Sequence, residues 1–129
     1  MIAADTNVWA RAYLNDDARQ ARQARETIEA ACDGEGVFIS LLVLAELYWV
    51  LAATWEKRRV LETLEHILST DGVIVESRGL TQRALKEARA GAPGFADRLI
   101  AEVAFAEGAR EVVTFDKTFA RQPRVRRLH

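Results

Sequence analysis

Short apolar runs alternate with segments of helical periodicity along this 129-residue chain, and this alternation most restricts the folds it can adopt. Strands that are apolar at every position are typical of a parallel sheet buried on both faces. Helices between such strands then cover the two faces. The apolar runs predict strands at Met1–Ala4, Val37–Ile39, Val73–Val75 and Val112–Thr114, with Val125–Leu128 as a possible fifth.

The segments between these strands have the spacing of amphipathic helices. Ser40 is suited to cap the helix that follows the second strand, and Gly108 to end the last one. The predicted helices are Arg19–Cys32, Leu41–Ala53, Glu56–Ser69, Thr81–Ala90 and Phe95–Glu107. With no linker or repeat, residues 1–129 are predicted to form a single domain. Its predicted fold is a three-layer α/β/α sandwich with a central, mainly parallel sheet of four to five short strands.

Four acidic residues occupy positions where a carboxylate is costly or conspicuous: Asp5, Glu46, Asp97 and Asp116. Glu46 is the least ordinary, because apolar residues flank it throughout the segment 41–53. Burying an ionised carboxylate in such a setting costs several kcal/mol unless a cation or a donor offsets it. Four such groups brought together would repel one another, and this predicts a bound metal ion.

The predicted topology brings these four acids toward one edge of the sheet. Asp5 ends the first strand and Asp116 follows the fourth, while Asp97 and Glu46 lie on helices that leave strand ends. Ligands of open parallel sheets bind outside the carboxyl ends of the strands. Glu102 lies about 140° around its helix from Asp97 and is expected to point away.

Each acid also has a structural explanation, which the sequence leaves open. Asp5 and Asp116 are suited to cap a turn or a short helix. Asp97 is suited to interact with a helix macrodipole, and Glu46 to pair with a buried arginine.

Oxygen ligands without a nearby histidine or cysteine set select Mg²⁺ or Mn²⁺, as one or two ions. His66 and His129 are too far apart in the sequence to suggest a zinc site. A hard divalent ion suits phosphate chemistry, because it neutralises charge, acidifies a bound water and stabilises the leaving oxygen.

The net charge of −1 does not indicate a nucleic-acid-binding protein, but the C-terminal tail is basic and free of acidic side chains. The tail could hold a phosphate backbone, bind a partner, or be a solvated surface. Its arginines are Arg121, Arg124, Arg126 and Arg127. The single Cys32, and an apolar stretch of only about 13 residues, predict a soluble cytoplasmic protein.

The chain resembles the PIN-domain ribonucleases, specifically the VapC toxins of bacterial toxin–antitoxin pairs. Four fragments carry the resemblance, in the family's order and over essentially the whole chain. They are Asp5-Thr6-Asn7, Ala45-Glu46, Asp97-Arg98-Leu99-Ile100-Ala101 and Thr114-Phe115-Asp116.

The resemblance implies a metal-dependent endoribonuclease that leaves a 5′-phosphate and a 3′-hydroxyl. It implies that Asp5, Glu46, Asp97 and Asp116 are the metal-binding and catalytic residues, with Asp5 and Asp97 as the most direct ligands. Polar support would come from Asn7, Thr114 and Thr6. Arg98, at a position that is frequently small or apolar in relatives, would alter substrate entry or pair with an acid. The implied partners are an RNA substrate, a VapB-like antitoxin and a second copy of the chain. Separately, the acid-free tail predicts salt-dependent RNA contacts from Arg121, Arg124, Arg126 and Arg127.

Two other enzyme-like classes are disfavoured by the order of the acids. A haloacid dehalogenase needs its nucleophilic Asp early in the sheet, and a receiver domain needs an Asp after the third strand, where Glu76-Ser77-Arg78 stands. A non-catalytic PIN-like module that binds RNA or protein, and a housekeeping PIN nuclease without an antitoxin, stay as alternatives.

Overall fold

A computed structural model describes all of residues 1–129. The chain forms two compact units, Met1–Arg78 and Gly79–His129. None of the helices is both long enough and apolar enough to cross a lipid bilayer.

The first unit is a parallel three-stranded sheet with four helices. The strands β1 (Ile2–Ala3), β2 (Val37–Ile39) and β3 (Val73–Val75) pair in the order β1-β2-β3. The helices are α1 (Thr6–Leu14), α2 (Ala18–Asp33), α3 (Leu41–Ala52) and α4 (Lys57–Ser69). Because β2 is the central strand, Val37 and Ile39 are fully buried.

The apolar faces of α1, α3 and α4 contribute buried side chains to the core of the first unit. Trp9 on α1 and Leu64 on α4 are almost completely buried. On α3, the buried residues Leu44, Leu47 and Leu51 follow helical spacing, so a single face of this apolar helix enters the core.

Side-chain caps set the starts of three of these helices. The Asp5 carboxylate caps α1, Asp17 caps α2 and Ser40 caps α3, each accepting from a backbone N–H in the first turn. Helix α1 was not predicted from the sequence. It is short and ends at Asn15, a residue in the left-handed conformation.

The second unit contains α5 (Arg78–Ala90), which begins at the boundary, and α6 (Phe95–Ala106). The strands β4 (Val112–Thr114) and β5 (Val125–Arg127) pair in parallel, with one 3₁₀ turn at Phe119–Arg121 between them. Phe119 and Val125 pack with Ala101 in a small apolar cluster.

The predicted α/β class and the parallel arrangement of the strands are confirmed. Strands β2, β3 and β4 have the predicted bounds. The hydrogen-bonded ladders join three strands in the first unit and two in the second, where the prediction had one central sheet. Helix α5 begins at Arg78 and not at Thr81 as predicted.

Candidate active site

The first acidic pair, Asp5 and Glu46, is linked through Thr6. Asp5 Oδ1 accepts a 3.1 Å hydrogen bond from the Val8 amide at the start of α1. The Thr6 hydroxyl donates to Oε1 of Glu46 on α3 at 2.8 Å. The residue after Asp5 is therefore tied directly to the second acid, although the two segments are far apart in sequence.

The prediction that Glu46 is buried is wrong, because this side chain is exposed. Helix α3 is apolar on almost every face, so periodicity could not show which face enters the core. The core takes the face of Leu44 and Leu47, and Glu46 lies on the opposite face with Leu42 and Trp49. These three exposed residues follow helical spacing along one side of α3.

Asp5 and Asn7 border a groove between α1 and α2. The groove encloses about 530 Å³ and is lined mainly by polar side chains. Gln20 and Gln23 of α2 also line it, which the sequence did not indicate because they are part of a generally polar helix face. Asn7, predicted to support the acidic site, is exposed at this groove.

The second acidic pair, Asp97 and Asp116, lies in the second unit and interacts electrostatically. Asp97 is in the first turn of α6 and is partly buried. Burial raises its pKa, and the nearby negative charge of Asp116 raises it further. The Asp116 carboxylate is thus close enough to disfavour ionisation of Asp97, as expected for two ligands of a shared cation.

Hydrogen bonds hold Asp116 in place just after β4. Its amide donates to the Thr114 hydroxyl at 3.0 Å, and its Oδ1 accepts from the Phe119 amide at 2.8 Å. The predicted capping role of Asp116 is therefore confirmed, as is that of Asp5. Each cap uses only the Oδ1 oxygen of the carboxylate. It also fixes the orientation of the other oxygen, which takes no part in the cap.

Arg98 joins the segments that carry the second acidic pair. Its side chain is only 14% exposed, and it pairs with Glu87 on α5, so the prediction that it pairs with an acid is confirmed. It also donates to the carbonyl oxygens of Pro93 and Ala92 in the loop before α6. With its amide oxygen turned toward the guanidinium, Gln122 accepts from Nε at 2.8 Å.

Glu102 takes part in a separate network between α5 and α6. It pairs with Arg83 at 3.3 Å, which agrees with its omission from the predicted site. Burial raises the pKa of Glu87, and so does its hydrogen bond with Glu102. Oε1 of Glu87 is buried without a donor, which agrees with a carboxyl group whose charged form is disfavoured.

The basic tail divides into two kinds of arginine. Arg124 lies over the Phe105 ring at 4.0 Å and donates to the carbonyl oxygen of Ala109. Arg126 donates twice to one oxygen of Glu111. All four predicted RNA-contact arginines are exposed, but Arg124 and Arg126 also donate hydrogen bonds within the second unit.

The structure thus presents the predicted acids as two pairs, one in each unit. No group of three or more potential ligands is arranged to hold a metal ion. The donors in each pair are carboxylate oxygens, which fit Mg²⁺ or Mn²⁺ by their chemistry. The repulsion between Asp97 and Asp116 is the feature that a divalent cation would relieve.

The comparisons with known proteins identify the family. Residues 2–125 match the PIN domain family, so the chain belongs to the PIN-domain family, which is a family of nucleases. No curated protein matches the chain. The chain is similar to the crystal structure of Mycobacterium tuberculosis VapC20, a toxin that cleaves the sarcin–ricin loop. That similarity has 24% identity over 94% of each chain and a TM-score of 0.48.

Proposed function

We propose that this protein is an endoribonuclease that depends on Mg²⁺ or Mn²⁺ and acts as one nuclease domain over residues 1–129. Its proposed metal-binding and catalytic residues are Asp5, Glu46, Asp97 and Asp116. The observation that carries the proposal is the placement of the partly buried Asp97 near Asp116, where burial and then the charge of Asp116 raise the pKa of Asp97. Membership of the PIN-domain family supports it, because the match spans both units.

The chain's own residues would act mainly by positioning. Asp5 and Asp97 are proposed as the most direct ligands, with Thr6 orienting Glu46 and Thr114 orienting the turn at Asp116. Asn7 would contact water or phosphate beside Asp5. A bound divalent ion would supply charge neutralisation and an acidified water for hydrolysis of the phosphodiester.

Contact with the RNA backbone is proposed mainly for Arg121 and Arg127. Both side chains are exposed, so they can neutralise phosphates without breaking an internal contact. Arg124 and Arg126 would contribute less directly, because they are held by Ala109, Phe105 and Glu111.

A protein partner is proposed for the exposed face of α3. Leu42 and Trp49 are 70% and 60% exposed on this face, and Glu46 lies between them. Exposed apolar side chains that share a face are typical of interaction sites. We propose that the chain is the toxin of a VapBC-type pair in the cytoplasm and forms a homodimer. A VapB-like antitoxin on the α3 face would cover Glu46 and so inhibit the enzyme.

Cleavage of RNA by the purified, antitoxin-free chain tests the enzymatic proposal. The protein is treated with chelator and assayed on an RNA mixture with Mg²⁺, with Mn²⁺ and without metal. We expect metal-dependent cleavage with 5′-phosphate and 3′-hydroxyl ends. Asp97→Asn is expected to abolish cleavage while the protein stays folded. Glu62→Gln, which changes an exposed acid that pairs with Arg58, is the matched control and should retain activity.

A non-catalytic PIN-like binding module is the second candidate. It is favoured by the observation that no three potential ligands are grouped to hold an ion. Metal-independent RNA binding with no cleavage of any RNA would support this candidate over the nuclease. A gene for a small antitoxin directly upstream would identify the protein as a toxin and not as a housekeeping nuclease.

A further inference from the structure

Phe115 is an exposed aromatic residue beside the second acidic pair. It directly follows β4, precedes Asp116, and is 72% exposed. Among the other phenylalanines of the second unit, Phe95 and Phe119 are buried, and Phe105 is partly buried beneath Arg124. Phe115 is thus the solvent-exposed phenylalanine of this unit, and it is adjacent in sequence to Asp116, a proposed catalytic residue.

The backbone on the C-terminal side of Phe115 is fixed by two hydrogen bonds. The Asp116 amide donates to Thr114, and the Phe119 amide donates to Asp116. The ring is therefore presented from an anchored turn and not from a loose loop. An anchored aromatic ring loses little conformational freedom when it binds a flat partner.

The environment of Phe115 differs from that of Trp49, the other large exposed aromatic side chain. Trp49 has an edge-to-face contact with Tyr48 and shares its helix face with Leu42, which suits a protein partner. Phe115 is flanked in sequence by Thr114 and Asp116, both polar and both used in the turn. A flat exposed ring between two polar residues suits a nucleobase, which combines stacking with polar contacts, and Val113 at 48% exposure is the other exposed apolar side chain of this segment.

We propose that Phe115 stacks on an unpaired nucleobase next to the phosphate that is cleaved. Such stacking needs an unpaired base, because a base within a duplex has both faces covered by its neighbours. Stacking accepts any base, so Phe115 would select for an unpaired strand more than for a sequence. This inference rests on the proposed nuclease function, since that function places the cleaved phosphate at Asp97 and Asp116.

The test combines three substitutions with defined RNA substrates. Phe115→Ala removes the ring, Phe115→Leu keeps apolar volume without a flat face, and Phe115→Trp keeps a ring. We expect the Ala and Leu variants to raise KM for an unpaired oligonucleotide by about 5- to 150-fold, as expected for one stacked base. The Trp variant should stay close to the wild type, and kcat should change little in all three.

Two further measurements identify the contact. Annealing a complementary strand across the cleavage site should suppress cleavage by the wild type. Abasic substitutions beside the cleaved bond should weaken binding by metal-free wild-type protein at one position. The same abasic RNA should not weaken binding by Phe115→Ala any further, because the two changes remove one interaction. Val113→Ala, which trims a 48% exposed residue on the preceding strand β4, is the matched control and should bind as the wild type does.

The outcomes separate this inference from the proposed function. If the wild type cleaves no RNA, the nuclease proposal fails, and the metal-free binding measurements still decide whether a base stacks on Phe115. If the wild type cleaves and Phe115→Leu matches it, stacking is overturned. Equal cleavage of paired and unpaired RNA, or an equal loss in Val113→Ala, would also overturn it.

Discussion

The Thr6 hydroxyl donates a 2.8 Å hydrogen bond to Oε1 of Glu46, joining the start of α1 to the exposed face of α3. Thr6 directly follows Asp5, whose own carboxylate caps α1. The first acidic pair is therefore organised by the beginning of one short helix. An exposed glutamate would otherwise sample several rotamers, so this hydrogen bond is what gives Glu46 a defined orientation.

Loss of this hydrogen bond is expected to reduce activity more than stability. In Thr6→Val, Glu46 keeps its charge but loses its orienting donor, and we expect kcat/KM for RNA to fall about 10-fold or more. The free energy of unfolding should change by less than about 1 kcal/mol, because the bond is exposed. Ser69→Ala, which removes an exposed hydroxyl bond on α4, is the control for both measurements.

Divalent metal is expected to stabilise the folded protein by binding the acidic residues. Saturation at 100 times the dissociation constant would add about 2.7 kcal/mol to the free energy of unfolding. Thermal melts with and without Mn²⁺ should therefore differ for the wild type and converge for Asp97→Asn. Metal-free Asp97→Asn should also melt higher than the metal-free wild type at neutral pH, since the repulsion from Asp116 is gone. An undiminished Mn²⁺ shift in this variant would exclude Asp97 as a ligand.

Glu87 is expected to make stability depend on pH. Its pKa is raised in the folded protein, chiefly by burial and by the hydrogen bond with Glu102. The stabilisation from its bound proton is therefore complete below the ordinary glutamate pKa and is lost as the pH rises through the raised value. Glu87→Gln keeps a donor toward Glu102 at every pH.

Urea unfolding of Glu87→Gln and the wild type between pH 4 and about 8 measures this contribution. We expect the variant to gain stability relative to the wild type as the pH increases. A constant difference between the two proteins across that range would show that Glu87 does not titrate in it.

Arg98 is expected to be a structural residue on which the second acidic pair depends. Arg98→Ala leaves Glu87 and the carbonyl oxygens of Ala92 and Pro93 without their donor, and should lower the free energy of unfolding by about 3 kcal/mol. Activity should fall in parallel, because Asp97 precedes Arg98. Arg83→Ala, which breaks a more exposed pair, should cost less than about 1 kcal/mol. Equal losses in the two variants would contradict a special role for Arg98.

The two kinds of tail arginine are expected to differ in RNA binding. The double variant Arg121→Ala, Arg127→Ala should weaken binding at low salt and reduce the salt dependence of the affinity by about two phosphate contacts. Arg126→Ala should have a smaller effect, because Arg126 is paired with Glu111. Binding is measured on metal-free protein so that cleavage does not interfere. An unchanged salt dependence in the double variant would remove the tail from the RNA-binding surface.

Local patterns predicted most of the secondary structure but not α1. The continuous apolar runs predicted the strands around Val37 and Val73, and the capping chemistry of Ser40 predicted the start of α3. Helix α1 was missed because Asp5, the residue that caps it, is equally suited to end the first strand. Its stability comes from packing Trp9 into the core, which only the folded chain shows.

The sequence by itself determined the α/β class, the parallel strands, the family and the identity of the acidic residues, since these depend on local periodicity and on the order of motifs. Only the tertiary structure decided which face of α3 is buried, that Thr6 holds Glu46, and that Asp97 interacts with Asp116. The physical reason is that an all-apolar helix has no preferred face until its neighbours are in place. Likewise, a carboxylate's pKa and partners depend on groups that are distant in sequence and close in space.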